Sequence, residues 1–142
     1  MMAVHNLCVV TFNLRGLNQG LDYLQDLLIC NDVVCIQEHW LSSHDDHKLT
    51  NINTEFNVIA SYAIDEALGK GILRGRPYGG IAIFVRATIM NNFAILHVSD
   101  RCIALRVNNL IICNVYMPCN DFELFTSIIG TISDLIHSNA EC

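Results

Sequence analysis

Val33-Val34-Cys35-Ile36-Gln37-Glu38 is a run of four apolar residues, three of them β-branched, that ends in an amide and a carboxylate. A short apolar run of this kind reads as a buried strand. A polar residue just past such a strand sits where a rigid scaffold meets solvent, the usual place for a site. The same pattern occurs twice more. Cys8-Val9-Val10-Thr11-Phe12 ends in Asn13, and Leu110-Ile111-Ile112-Cys113 leads through Asn114-Val115 to Tyr116, then Met117-Pro118. An amide, a carboxylate and a phenol recurring at strand ends suggest a phosphate-and-metal site on an α/β frame. The block Arg74-Gly75-Arg76-Pro77-Tyr78-Gly79-Gly80 adds to that suggestion.

Outward from these runs the chain has one continuous organisation and no internal repeat. Leu21, Leu24, Leu27 and Leu28 form a helical apolar stripe after Gly20. The polar stretch 42–54, with His44 and His47, reads as a loop or short surface helix. Asn57 to Tyr62 reads as a strand. The segment 65–80, with five glycines and a proline, reads as a mobile loop. Ile81 to Val85, Ala94 to Val98, Cys102 to Val107 and Leu110 to Tyr116 follow as consecutive strands. Asn108-Asn109 marks a hairpin turn, because asparagine tolerates positive φ. Asn120 or Asp121 caps a last helix with Phe122, Phe125, Ile129, Ile132 and Ile136 at helical spacing. The fold class expected is α/β (α+β), a strand–helix–strand start running into an antiparallel meander.

Composition narrows the function classes. A chain of 142 residues is long enough for one domain with a sizeable core. Hydrophobic residues make up 52% and charged residues 15%, below the usual share of about 25%. That surplus suits strands buried on both faces, or a core that expects a further covering layer. No apolar run approaches the roughly 18 residues of a membrane helix, and no basic stretch precedes an apolar segment at the start. Seven cysteines, at 8, 30, 35, 102, 113, 119 and 142, show no zinc-like spacing. Four of them (Cys8, Cys35, Cys102 and Cys113) lie in or beside apolar runs, where cysteine behaves as a small hydrophobe. The expectation is a reduced, intracellular protein, cytoplasmic or nuclear and not secreted. Eight basic against fourteen acidic residues give a net charge of −6, which argues against broad electrostatic binding of nucleic acid. Lys70, Arg74 and Arg76 form the one basic cluster.

The strand-end motifs resemble the endonuclease/exonuclease/phosphatase superfamily, the DNase I-like Mg²⁺-dependent phosphodiesterases. The resemblance rests on Thr11-Phe12-Asn13-Leu14-Arg15-Gly16-Leu17, on Ile36-Gln37-Glu38-His39-Trp40 and on Asn114-Val115-Tyr116-Met117-Pro118. Gly75 to Ala82 and Ser99-Asp100-Arg101 are similar to the endonuclease domain of non-LTR retrotransposons. The match runs from about Val9 to the end. Nothing after Tyr116 corresponds to the family's Gly-Asp-Phe-Asn or Ser-Asp-His motifs. The resemblance therefore implies the N-terminal half of a DNase I-like two-sheet β-sandwich flanked by helices, with residues 1–142 a partial domain.

By the same resemblance Glu38 is the primary Mg²⁺ ligand, Asn13 helps hold the metal shell or a phosphate oxygen, and Tyr116 hydrogen-bonds a phosphate. A carboxylate directly after four buried residues is costly unless it coordinates or caps something. Arg76 and Tyr78 are candidates to line the substrate groove, although a glycine-flanked turn accounts for them equally. His39 and Trp40 read as neighbours that pack beside the site. The family mechanism, in-line attack of water on a phosphodiester of DNA, needs a His–Asp base near the carboxyl end. After Tyr116 the acids are Asp121, Glu123, Asp134 and Glu141 and the one histidine is His137, none of them following a strand. One wall of an active site is expected, on an inactive fragment with weakly bound Mg²⁺. The alternatives are a non-catalytic remnant or partner-binding half-domain, and another phosphodiesterase of the same superfamily. A single sheet would leave the inner face of Val9, Ile36, Ile83, Ile103, Leu105 and Ile112 partly uncovered, so self-association or a complementary half in trans is also expected.

Overall fold

The computed structural model describes residues 6–71 and 78–140. Strand β1 (Val9–Asn13) leads into helix α1 (Leu17–Cys30) and strand β2 (Val33–Gln37), with β1 and β2 parallel. A short helix α2 (His47–Thr50) precedes β3 (Phe56–Ser61), and one helical turn, α3 (Asp65–Gly69), lies in the segment read as loop. β4 (Ile81–Arg86), β5 (Phe93–Val98), β6 (Cys102–Val107) and β7 (Leu110–Val115) follow, then helix α4 (Phe122–Asn139). The strands form two sheets, ordered β1-β2-β4-β3 and β5-β6-β7.

The strand sequences explain the layering. β2 and β4 are apolar without alternation because both of their faces are covered. Val34, Ile36, Ala82 and Phe84 point one way and join Leu17, Leu24 and Leu28 of α1, with Leu49 and Phe56. Val33, Cys35, Ile81, Ile83 and Val85 point the other way and meet Ile103, Leu105 and Val107 of β6. The second sheet is thus packed on the first through alternate residues of the same strands.

This corrects one expectation. The chain contains strands of both sheets, and Ile36, Ile83, Ile103 and Leu105 are fully buried. Val9 lies on the same face as its partner Val33 and is 48% exposed because β1 is the edge strand of its sheet.

Two ends of the sandwich are fastened differently. At one end Arg86 donates to the carbonyls of Leu28 and Asn31 at 2.9 Å and pairs with Asp32 and Glu55, satisfying carbonyls where α1 stops. The opposite end gathers the C-terminal ends of β1, β2, β3 and β7 and the start of β4 and β6. That second end holds the residues of interest. Among the described residues no helix is long and apolar enough to cross a membrane.

Candidate active site

The ladder between β1 and β2 runs on past the regular strands. Leu14 N–H donates to Gln37 O at 2.9 Å, Gly16 N–H to Glu38 O at 2.8 Å and Leu17 N–H to His39 O at 3.1 Å. On the other side His39 N–H reaches Gly80 O at 3.3 Å and Trp40 N–H reaches Gly79 O at 3.0 Å. Residues 38–40 are therefore held from both flanks, yet their backbone is irregular. Glu38 (φ 57°) and Trp40 (φ 62°) are left-handed, as are Arg15, Gly16, Gly79 and Gly80 around them. Left-handed backbone at a residue with a Cβ costs about 1–2 kcal/mol, so surrounding bonds must enforce it.

The result of that geometry is a direct contact between the two sheets. Tyr116, just past β7, donates its hydroxyl to Glu38 Oε1 at 2.5 Å. The bond to the carboxylate, with partial burial, raises the Tyr116 phenol above its ordinary range, so it is a hydroxyl donor at neutral pH. The Arg101 guanidinium lies 5.1 Å from the Tyr116 ring centroid and opposes that rise. A cleft of about 390 Å³ opens on the Tyr116 side of the pair, lined by Tyr78, Asp100, Arg101, Tyr116 and the turn 117–121.

Asn114 sets the register that makes this contact possible. Its side chain is buried, and Nδ2 donates to Ile36 O of β2 and Ala82 O of β4, both at 2.9 Å. Its Oδ1 accepts from Gln37 Nε2 at 2.7 Å, and the same Gln37 nitrogen reaches Thr11 Oγ1 of β1 at 2.9 Å. Four strands from both sheets are tied by two amides, two residues from Tyr116 and one from Glu38. A buried network of this kind fixes one arrangement only when every member is satisfied, as these are.

Behind Glu38 lies His39, fully buried. Its Nδ1 accepts from Leu41 N–H at 3.0 Å and its Nε2 contacts Ser61 O at 2.9 Å. A backbone N–H only donates and a carbonyl only accepts, so the ring is the neutral Nε2–H tautomer. Burial pulls its pKa down, which agrees. A Cβ at Gly80 would come within 2.3 Å of the ring, so only glycine fits there.

The sequence-derived candidates therefore separate. Glu38 and Tyr116 are brought together. Asn13 lies on the neighbouring strand beside Gln37, and its Oδ1 accepts from Arg15 N–H at 3.0 Å, shaping the turn after β1. Tyr78 is half-exposed on the cleft wall, and Arg76 lies outside the described residues. His137 is in α4, where Nδ1 contacts Ser133 O at 2.7 Å, far in the chain from any strand end. Asn114 and His39 were not among the expected site residues. The only signal for them was adjacency to Tyr116 and Glu38, since their partners are 32–78 and 22 residues away.

One carboxylate suits Mg²⁺, which keeps most of its waters and takes one or two carboxylates plus substrate phosphates. Tyr116 occupies Oε1 of Glu38, and a carboxylate has a second oxygen to offer. Among the described residues no group of three His, Cys, Asp or Glu side chains is placed to hold a metal by itself.

The sequence profile of the Endonuclease/Exonuclease/phosphatase family matches residues 10–121. No curated protein matches the sequence. Among solved structures, the 3′ phosphatase NExo from Neisseria, bound to a product DNA hairpin, is 17% identical with a TM-score of 0.66. That match covers 96% of this chain and 53% of the other. An AP endonuclease from Archaeoglobus fulgidus is 18% identical with a TM-score of 0.58, covering 93% of this chain and 50% of its own. An AP endonuclease from Leishmania major is 13% identical with a TM-score of 0.58, covering 84% and 43%. At these identities the likeness is one of fold. The chain spans about half the length of the structures it matches.

Proposed function

The chain belongs to the endonuclease/exonuclease/phosphatase family, and from that membership we propose that it supplies one wall of a Mg²⁺-dependent phosphodiesterase site acting on DNA. The observation that carries this reading is the 2.5 Å bond between Tyr116 and Glu38, made between two sheets at their strand ends beside an open cleft. Glu38, with Asn13 on the adjacent strand, would hold Mg²⁺, which supplies charge stabilisation at a phosphoryl oxygen. Tyr116 presents a hydroxyl donor there, and Arg101 and Tyr78 line the way in. Glycine at 79 and 80 beside the carboxylate loop, together with Ser99-Asp100-Arg101, supports the retrotransposon-type endonuclease as the branch.

The base is the missing part. In-line attack needs a group to take the proton of water, and a catalytic unit that loses one member loses nearly its whole effect. The only histidine beyond Tyr116 is committed to the α4 backbone. The proposal is therefore a partial domain whose base and second acidic motif come from another segment. With Mg²⁺ present, the chain alone should nick supercoiled plasmid no faster than its Glu38→Ala variant. Clear Glu38-dependent nicking would contradict the one-wall reading and place the base within these residues.

A partner-binding half-domain is favoured as the second reading by one observation. β1 and β7 are edge strands that flank a common groove lined by Val9, Val10, Ile112 and Val115.

A further inference from the structure

Glu38 meets Tyr116 from a left-handed backbone, in a segment that ladder bonds hold from both flanks. A further hold comes from the side chain buried one position on. We infer that His39 is a positioning residue for Glu38, its ring bridging Leu41 N–H and Ser61 O so that the 38–40 backbone is locked and the carboxylate is delivered to Tyr116.

Three features of the structure converge on this. First, the Leu41 N–H to His39 Nδ1 bond at 3.0 Å spans Trp40 and closes a two-residue turn around it. That bond brackets the left-handed Trp40, as the side chain of an Asx turn brackets its central residue. Second, the Nε2 contact to Ser61 O at 2.9 Å anchors the same ring to the end of β3, two strands away. Third, Gly80 leaves the ring its space and at the same time accepts His39 N–H, so the β4 entry is shaped to the imidazole. Leu, Met or Phe at position 39 would fill the volume and satisfy neither polar partner. A residue chosen for packing alone has no need of both.

The inference rests on the reading of Glu38 as the site carboxylate, and its geometric content can be tested without activity. The Tyr116 hydroxyl reports where Glu38 is. In chain labelled with ¹³C at tyrosine Cζ, the four tyrosine resonances are assigned with Tyr116→Phe, and Glu38→Ala gives the Tyr116 position with the bond broken. Tyr62, whose ring meets His39 edge-on at 5.4 Å, is expected to respond to any change of ring and is the control for local packing.

His39→Leu should move Tyr116 all the way to its Glu38→Ala position at pH 7. His39→Asn keeps a short acceptor for Leu41 N–H and should restore at least half of the shift. His39→Gln can reach Ser61 O but not Leu41, and should not restore it. If Tyr116 stays at its wild-type position in His39→Leu while the chain still unfolds cooperatively, His39 is a core residue and the inference fails. Should His39→Leu not fold, the Asn and Gln pair decides, and identical Tyr116 positions in the two would overturn the assignment. Mn²⁺ affinity measured on the same variants separates the two claims. A Tyr116 shift with Mn²⁺ binding indifferent to Glu38→Ala would remove the metal reading and leave the positioning role standing.

Discussion

A methyl group at Gly80 would lie 2.3 Å from Cε1 of His39, and the backbone there has φ +83°. Neither side can give way, since the ring is fully buried and bonded at both nitrogens. Gly80→Ala should therefore cost about 2–4 kcal/mol in urea unfolding, the sum of overpacking and left-handed strain. A loss below about 1 kcal/mol would mean the loop rearranges freely. Cys35 gives a pH-dependent case. Burial, with some repulsion from Cys113, pushes its thiol up from 9.0 to about 12. The folded state thus holds the proton more tightly than the unfolded one. Its contribution to stability is complete below pH 9 and falls as pH rises from 9 towards 12. Tyr62 and Tyr116 are shifted in the same direction. Melting temperatures taken from pH 8 to 11 should decline, with part of the decline absent in Cys35→Ala. At pH 8 iodoacetamide should label the exposed Cys30 and Cys119 and spare Cys35. The strand-end positions of Glu38 and Tyr116, which the structure brings into contact, were legible in the sequence because a polar residue closing an apolar run is a local pattern. His39 was legible only as a residue packing beside the site, because Ser61 O and Gly80 come to it through strand pairing.

At the level of elements, apolar runs identified every strand of the described residues; β2 and β4, covered on both faces, do not alternate, and their shortness and β-branched content separate them from helix. The turn at Asn108 was legible for the reason expected, with φ 55°. Two boundaries were not. α1 starts at Leu17, ahead of Gly20, whose backbone packs on Leu14 where a Cβ would come within 2.6 Å. The glycine read as a helix boundary serves close packing inside the helix. α3 forms in a glycine-rich segment whose composition favours loop. The two-sheet sandwich with flanking helices was legible, but the cover of its inner face was not. Strand periodicity says that a strand has two faces and leaves open which sheet covers each, so the β6 layer over Ile83 was missed. The element that registers the layers is the Asn114 clamp. Asn114→Leu leaves Ile36 O, Ala82 O and Gln37 Nε2 without their buried partner. A loss of about 2–4 kcal/mol is expected, larger than for Gln37→Leu, in equilibrium urea unfolding of both variants. Equal losses would show that the inter-sheet bonds are not what holds the register.

On the scale of the molecule, the core is closed between the sheets and open at one side. β1 and β7 present edges along one groove, and α4 buries Ile128 while Phe122 stays 80% and Ile136 57% exposed. Unpaired edges and exposed apolar side chains promote association. The chain should unfold cooperatively yet elute with a concentration-dependent size, and Ile112→Lys on the β7 edge should shift it towards monomer. A wild-type monomer at every concentration would mean that these edges need no cover. The acidic balance has its own consequence. A net charge of −6 argues against a broad basic surface for DNA, so on the proposed reading any such affinity would rest on a metal at Glu38 and on the cleft. The central claim is that Glu38, aimed at Tyr116, is a Mg²⁺ ligand. Mn²⁺ titration followed by paramagnetic broadening of backbone amide resonances tests it most directly. Amides of Glu38, His39 and Tyr116 should broaden first in the wild type at millimolar Mn²⁺ and remain sharp in Glu38→Ala. Equal broadening of these amides in both proteins, or none in either, would contradict the account.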